Sequence, residues 1–130
     1  MTTVAPFLMF VGRAEEAINF YVSVLPGSEV LELVRHGAGA PAGEGKVMKA
    51  VVSLAGQNVI FSDSPDVHAF TFTPSTSLFV ECDTESDVDR IAAALGKDGG
   101  VLMPVGNYGF SKRFGWVVDR FGVSWQVNFS

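Results

Sequence analysis

"FGWVVDRFGVSWQV", Phe114 to Val127, sets two tryptophans and two phenylalanines around one polar turn, Asp119-Arg120-Phe121-Gly122. After that turn Ser124, Gln126 and Asn128 alternate with Val123, Trp125, Val127 and Phe129. A period of two is the mark of a strand with one packed face and one polar face. The spacing therefore predicts a hairpin with Trp125 packed and Gln126 on the opposite side. Gln126 is then a ligand contact, a hydrogen-bonding group in an apolar cleft, or the polar side of a strand.

Upstream the period changes. Ala17, Ile18, Tyr21, Val22 and Leu25 recur at helical spacing, Glu15 and Glu16 suit the positive end of a helix from about Ala14, and Pro26-Gly27 stops it. A second helix is expected over about Glu85 to Leu95. Thr84 and Asp87 form its capping box, Val88, Ile91, Ala92 and Leu95 its buried stripe, and Gly96 its C-cap. A short apolar strand precedes each helix, Phe7–Val11 and Ser77–Cys82. Three strands follow each: Glu29–Arg35, Val47–Leu54 and Asn58–Ser62 in the first half, Gly100–Met103, Phe114–Val118 and Val123–Phe129 in the second. The order is β-α-β-β-β, twice. A shift of 70 lays Ile18 on Val88, Tyr21 on Ile91 and Leu25 on Leu95. The expected fold class is α+β, one domain over 1–130. Module one covers about 4–63, a Ser/Pro/Thr-rich linker 64–76, and module two about 77–130.

Composition narrows the function classes. At 130 residues and 48% hydrophobic the chain can bury a core of its own. A net charge of −5 argues against nucleic acid, whose recognition rests on basic surface. No apolar run reaches membrane-spanning length, the N-terminus lacks a signal-peptide pattern, and one cysteine, Cys82, makes no internal disulfide. A cytoplasmic protein with a small-molecule partner is expected. "GAGAPAGEG", Gly37 to Gly45, is followed by the strand-like Lys46–Leu54 and reads as a β-β connection, not a phosphate-binding loop.

The doubled β-α-β-β-β plan resembles the vicinal oxygen chelate superfamily, which includes glyoxalase I, extradiol dioxygenases and bleomycin-resistance proteins. "PFLMFVGRAEEAINFY" (6–21), "SLFVECDTESDVDRI" (77–91) and "YGFSKRFGWVVDRFGVSWQV" (108–127) resemble its PhnB-like branch, whose members are often labelled 3-demethylubiquinone-9 3-methyltransferase-like. The resemblance implies a glyoxalase/bleomycin-resistance-type domain with a curved-sheet cleft, and two-fold homodimers. In metal-dependent relatives, ligands come from the first and last strand of each module. Those four slots fall here on Pro6 or Phe7, Ile60 or Phe61, Ser77 or Thr76, and Gln126. Zinc or Fe(II) needs at least three good donors. No superfamily-type metal site and no cofactor is therefore expected. A methyl-donor fold would show an α/β sheet with a Gly-rich loop after its first strand, and neither is present.

The expected function is metal-independent binding of a small molecule in a cleft lined by Phe10, Phe61, Phe79, Tyr108, Trp116 and Gln126. Lys112 and Arg113 would stand near its mouth, a set suited to an anionic or planar aromatic ligand. The alternatives are an enzyme with Asp63 or Glu81 as acid/base, a cleft carboxylate whose pKa an aromatic pocket would raise, and a homodimeric association module.

Overall fold

A computed structural model describes all residues, 1–130. The chain divides into two compact units, Met1–Ala69 and Phe70–Ser130. In the first, β1 (Phe7–Phe10) leads to α1 (Ala14–Val24), then β2 (Glu29–Arg35), β3 (Val47–Leu54) and β4 (Gln57–Asp63). In the second, β5 (Ser77–Glu81) leads to α2 (Glu85–Gly96), then β6 (Gly100–Gly106), β7 (Arg113–Val118) and β8 (Ser124–Phe129). The sheets run β1-β4-β3-β2 and β5-β8-β7-β6. In each, the first strand lies parallel to the last and the other pairings are antiparallel. The α+β class and the repeated β-α-β-β-β order are as the periodicity predicts. No helix is long and apolar enough to cross a membrane.

The repeat is visible in the packing. Ile18, Tyr21 and Leu25 on the first helix segment are buried, as are Val88, Ile91 and Leu95 at the positions 70 residues on. Each helix rests on its own sheet, α1 on β2, β3 and β4, and α2 on β6, β7 and β8. Burying a side chain of that size contributes roughly 1.5–3 kcal/mol. The helix-facing side of β8 alternates as expected, with Trp125 and Val127 buried, and on β4 Val59 and Phe61 are buried. Gly37–Gly45 joins two antiparallel strands, β2 and β3, as a β-β connection should.

The helix ends differ in how they are satisfied. Thr84 caps α2 locally, its Oγ1 accepting from the Asp87 N–H at 3.1 Å. Arg13, at the N-cap of α1, makes no side-chain cap bond. The cap is non-local: the Asp63 Oδ1 accepts from the Ala14 N–H at 3.0 Å, and its Oδ2 from the Val47 N–H at 3.0 Å. The α2 C-terminus also departs from the expected Gly96 cap. The helix continues through Gly96, and Asp98 takes the left-handed turn at φ 62°. Gly96 is instead a close-packing position, since a Cβ there would come within 3.3 Å of Val117.

Candidate functional site

The strand register of the second sheet lays its uncovered face out in rows. Phe79 pairs with Gln126, Gln126 with Trp116, and Trp116 with Met103. One step along the strands, Glu81 pairs with Asn128, Asn128 with Phe114, and Phe114 with Gly106. Residues i and i+2 share a face and a strand rises about 3.4 Å per residue, so the rows stand about 7 Å from each other. These two rows floor an open groove of about 630 Å³, walled at one end by Phe110, Ser111 and Ser130. That volume is in the range of small-molecule sites.

The groove is apolar in area and polar at chosen points. Phe110 meets Phe114 edge-on at 5.0 Å, and Tyr108 stacks on Phe110 at 6.1 Å, so an aromatic cluster carries the β6–β7 loop. One row further along the same face, beside Phe79 and Trp116, runs a hydrogen-bonded chain. The Trp116 Nε1 donates to the Ser124 Oγ at 2.8 Å, the Ser124 and Ser77 hydroxyls lie 2.7 Å apart, and the Gln126 Nε2 donates to the Ser77 Oγ at 3.2 Å. Ser124 also reaches the Pro74 carbonyl at 3.5 Å. The chain fixes the indole plane and turns the amide, so the Gln126 Oε1 is left to the groove. The Ser111 Oγ is buried at the groove wall without a hydrogen-bond partner.

At the end bounded by Ser130 and Phe110, Glu81 is the only charged side chain in the lining. Its Oε1 accepts from the Asn128 Nδ2 at 2.9 Å and the Ser130 Oγ at 3.1 Å, and its Oε2 from the Ser130 N–H at 3.1 Å. The Asn128 bond above all, with help from Ser130, holds the Glu81 carboxyl below its ordinary value. This corrects the expectation of a raised pKa. Hydrogen bonds to the charged form outweigh the aromatic surroundings because Glu81 is largely exposed.

Of the residues expected around a ligand, Phe79, Trp116, Gln126 and Glu81 come together in this groove. Phe10 and Phe61 do not line an open face. They are 4% and 0% exposed, stack at 5.8 Å, and Phe61 meets Tyr21 of α1 at 6.0 Å. Their positions share the helix-facing parity of Leu8 and Val59, which makes them core. Asp63 is buried with both oxygens committed to backbone N–H groups, a structural cap. Tyr108 stands behind Phe110 with its hydroxyl on the Pro104 carbonyl. Lys112 lies with its Nζ 5.5 Å from the centre of the Phe129 ring, which alternates away from the groove residue Asn128. Arg113 pairs with Asp89 of α2 at 2.7 Å. No basic side chain lines the groove.

Asn128 was open to sequence reasoning, since it shares the parity of Gln126. Met103, Ser111 and Ser130 were not, because only the tertiary fold brings their segments to this face. The family's metal slots do not fit a divalent ion. Phe7 faces Ile60 across β1 and β4, two hydrocarbon side chains, and Ser77 and Gln126 are hydrogen-bonded to each other. Nowhere does the chain gather three or more His, Cys, Asp or Glu into a possible metal site.

Over residues 2–128 the chain matches the family model described as 3-demethylubiquinone-9 3-methyltransferase. A solved structure, a putative 3-demethylubiquinone-9 3-methyltransferase, PhnB protein, from Bacillus cereus, is 46% identical. It superposes with a TM-score of 0.94 over 99% of this chain and 100% of that one. Protein YjdN of Escherichia coli (strain K12) is 25% identical over 138 residues, 95% of this chain and 92% of its own. A glyoxylase/bleomycin resistance protein/dioxygenase domain from Frankia sp. EAN1pec, 14% identical, has a TM-score of 0.68 over 100% of this chain and 93% of that one, a likeness of fold alone.

Proposed function

Because the chain belongs to the 3-demethylubiquinone-9 3-methyltransferase family, the PhnB-like branch of the glyoxalase/bleomycin-resistance/dioxygenase superfamily, we propose that it is a metal-independent binder of a small organic molecule. The ligand lies on the uncovered face of β5-β8-β7-β6. The observation that carries this reading is the groove itself: aromatic walls around a Gln126 amide whose orientation the Ser77–Ser124 pair sets in advance. Preformed polar points in an apolar concavity are what small-molecule recognition uses. Metal independence rests on the chemistry of the slot residues, none of which forms a three-donor set.

The methyl-transfer activity in the family's description finds no support in the residues. The chain has no parallel α/β sheet with a glycine-rich loop entering a helix. The acid/base reading has less support than the binder. Asp63 is a cap, and Glu81 is held ionised, which makes it a weak proton carrier near neutral pH. A cytoplasmic homodimer completes the reading. Exposed Phe7, Leu31 and Met48 on the first sheet are side chains that a second copy would cover.

The test is native mass spectrometry of protein purified gently from cells, joined to a thermal-shift screen of aromatic fragments. The reading expects a small-molecule adduct or stabilising fragments, lost in Trp116→Ala. Elemental analysis should give well under one equivalent of any transition metal. A stoichiometric metal whose chelation lowers the melting temperature contradicts metal independence, and stabilising fragments unaffected by Trp116→Ala contradict the site.

A further inference from the structure

The groove reading can be taken further, to the charge class of the ligand, and the step rests on that reading. We propose that the groove selects a small organic cation with a planar apolar body. Its ammonium or other onium group sits beside Glu81, and its body lies across the row of Phe79, Gln126 and Trp116.

Three observations converge. First, Glu81 bears the sole charged side chain in the lining. The two cations nearest in sequence to the loop wall are occupied elsewhere, Lys112 over the Phe129 ring and Arg113 on Asp89. An anionic head group would meet one carboxylate and no counter-charge. Second, the carboxylate is fixed. Asn128 and Ser130 donate to both of its oxygens from the fold side, which positions a negative charge without neutralising it, since neither partner is a cation. Third, the same cross-strand row that holds Glu81 also holds Phe114, and Phe110 stands edge-on against it. A cation at this end finds aromatic faces as well as a carboxylate. The distance of about 7 Å between rows lets an ammonium head at one row place the far ring of a naphthylmethyl body at the other. The Gln126 Oε1, left free when its Nε2 donates to Ser77, offers a further polar contact along that path.

The experiment compares three probes with one body: naphthylmethyl-trimethylammonium, naphthylmethanol and naphthoate. Affinity is read by calorimetry at low and at high salt. The cation should bind on the order of tenfold more tightly than the alcohol, and naphthoate more weakly than either. The lead of the cation should shrink as salt rises. Glu81→Gln, which keeps an acceptor for Asn128, should remove that lead, bringing the affinities for cation and alcohol to within about twofold of each other. Phe79→Ala should weaken cation and alcohol alike. Equal affinity for all three probes, or a preference for naphthoate, overturns the charge selection while leaving the groove as a binding site. Binding that survives Phe79→Ala and Trp116→Ala unchanged overturns the groove reading as well.

Discussion

Asp119 should prove to be the residue on which the last hairpin depends, and replacing it by asparagine tests this with almost no change of shape. Its carboxylate is 2% exposed. The Oδ1 accepts from the N–H groups of Phe121 at 2.8 Å and Val123 at 3.1 Å, and the Oδ2 accepts from the Trp125 Nε1 at 2.8 Å. Asparagine preserves an oxygen for the two backbone donors but sets its own N–H group against the indole N–H. One charge-assisted bond, worth roughly 1.5–3 kcal/mol, becomes a donor–donor contact in a buried place. The other two lose the charge that about doubles their strength. Asp119→Asn is therefore expected to cost about 3 kcal/mol, a large part of the 5–15 kcal/mol that holds a domain together. Both tryptophans lie in the second unit, so urea unfolding followed by their fluorescence reports on that unit. With a slope of about 2 kcal/mol per molar, the midpoint should fall by about 1.5 M. Trp125→Phe removes the indole donor, and in that background Asp119→Asn should cost at least about 1 kcal/mol less. A loss below about 1 kcal/mol in the single variant, or no coupling with Trp125→Phe, would refute the claim that this bond locks the turn.

Three further expectations follow from the same geometry. Burial, then the charges of Asp87 and Glu81, push the Cys82 thiol up to about 11. Disulfide-exchange labelling at pH 8 should therefore run about a hundredfold slower on the native protein than in urea, and equal rates would show the thiol to be accessible. Glu81 titrates lower folded than unfolded, so its stabilisation is present above its ordinary 4.5 and is lost as pH falls through the lowered value. The gap in urea midpoint between wild type and Glu81→Gln should thus be constant at neutral pH and close on acidification; a gap that widens below pH 4 contradicts the assignment. Gly99 has no room for a side chain, because a Cβ would stand 2.1 Å from the Val118 carbonyl oxygen. Gly99→Ala should cost at least about 2 kcal/mol by calorimetric melting, and a neutral effect would show that the α2–β6 connection can shift aside.

The elements were legible where periodicity and local chemistry agree. The Ile18/Tyr21/Leu25 and Val88/Ile91/Leu95 stripes, the Thr84 cap and the Trp125 alternation all rest on contacts between near neighbours or on one face of one element. The site was legible only on the second sheet. There the parity of Phe79 and Glu81, and of Trp116, Gln126 and Asn128, puts them on one face once the strands pair. Phe10 and Phe61 misled because an aromatic in a strand carries no sign of which face it occupies; parity with Leu8 and Val59 decides it, and helix α1 covers that side. In the sequence Asp119 reads as a turn residue and Asp63 as a candidate acid/base. Their partners lie on backbone and indole N–H groups that only the folded chain brings to them, Ala14 and Val47 for the first and Trp125 for the second. Lys112 and Arg113 were placed by sequence proximity to aromatics, whereas strand alternation turns Arg113 toward α2.

The central claim, a ligand site on the uncovered face of the second sheet, can be read from two indole N–H signals. Trp116 lies in the groove with its Nε1 on Ser124, and Trp125 lies in the core with its Nε1 on Asp119. In a nitrogen-15 spectrum titrated with naphthylmethanol and with naphthylmethyl-trimethylammonium, the Trp116 indole signal should move saturably while the Trp125 signal stays in place. Movement of Trp125 with Trp116 unmoved, or saturable binding by calorimetry that leaves the Trp116 signal untouched, would place the ligand elsewhere and contradict the account.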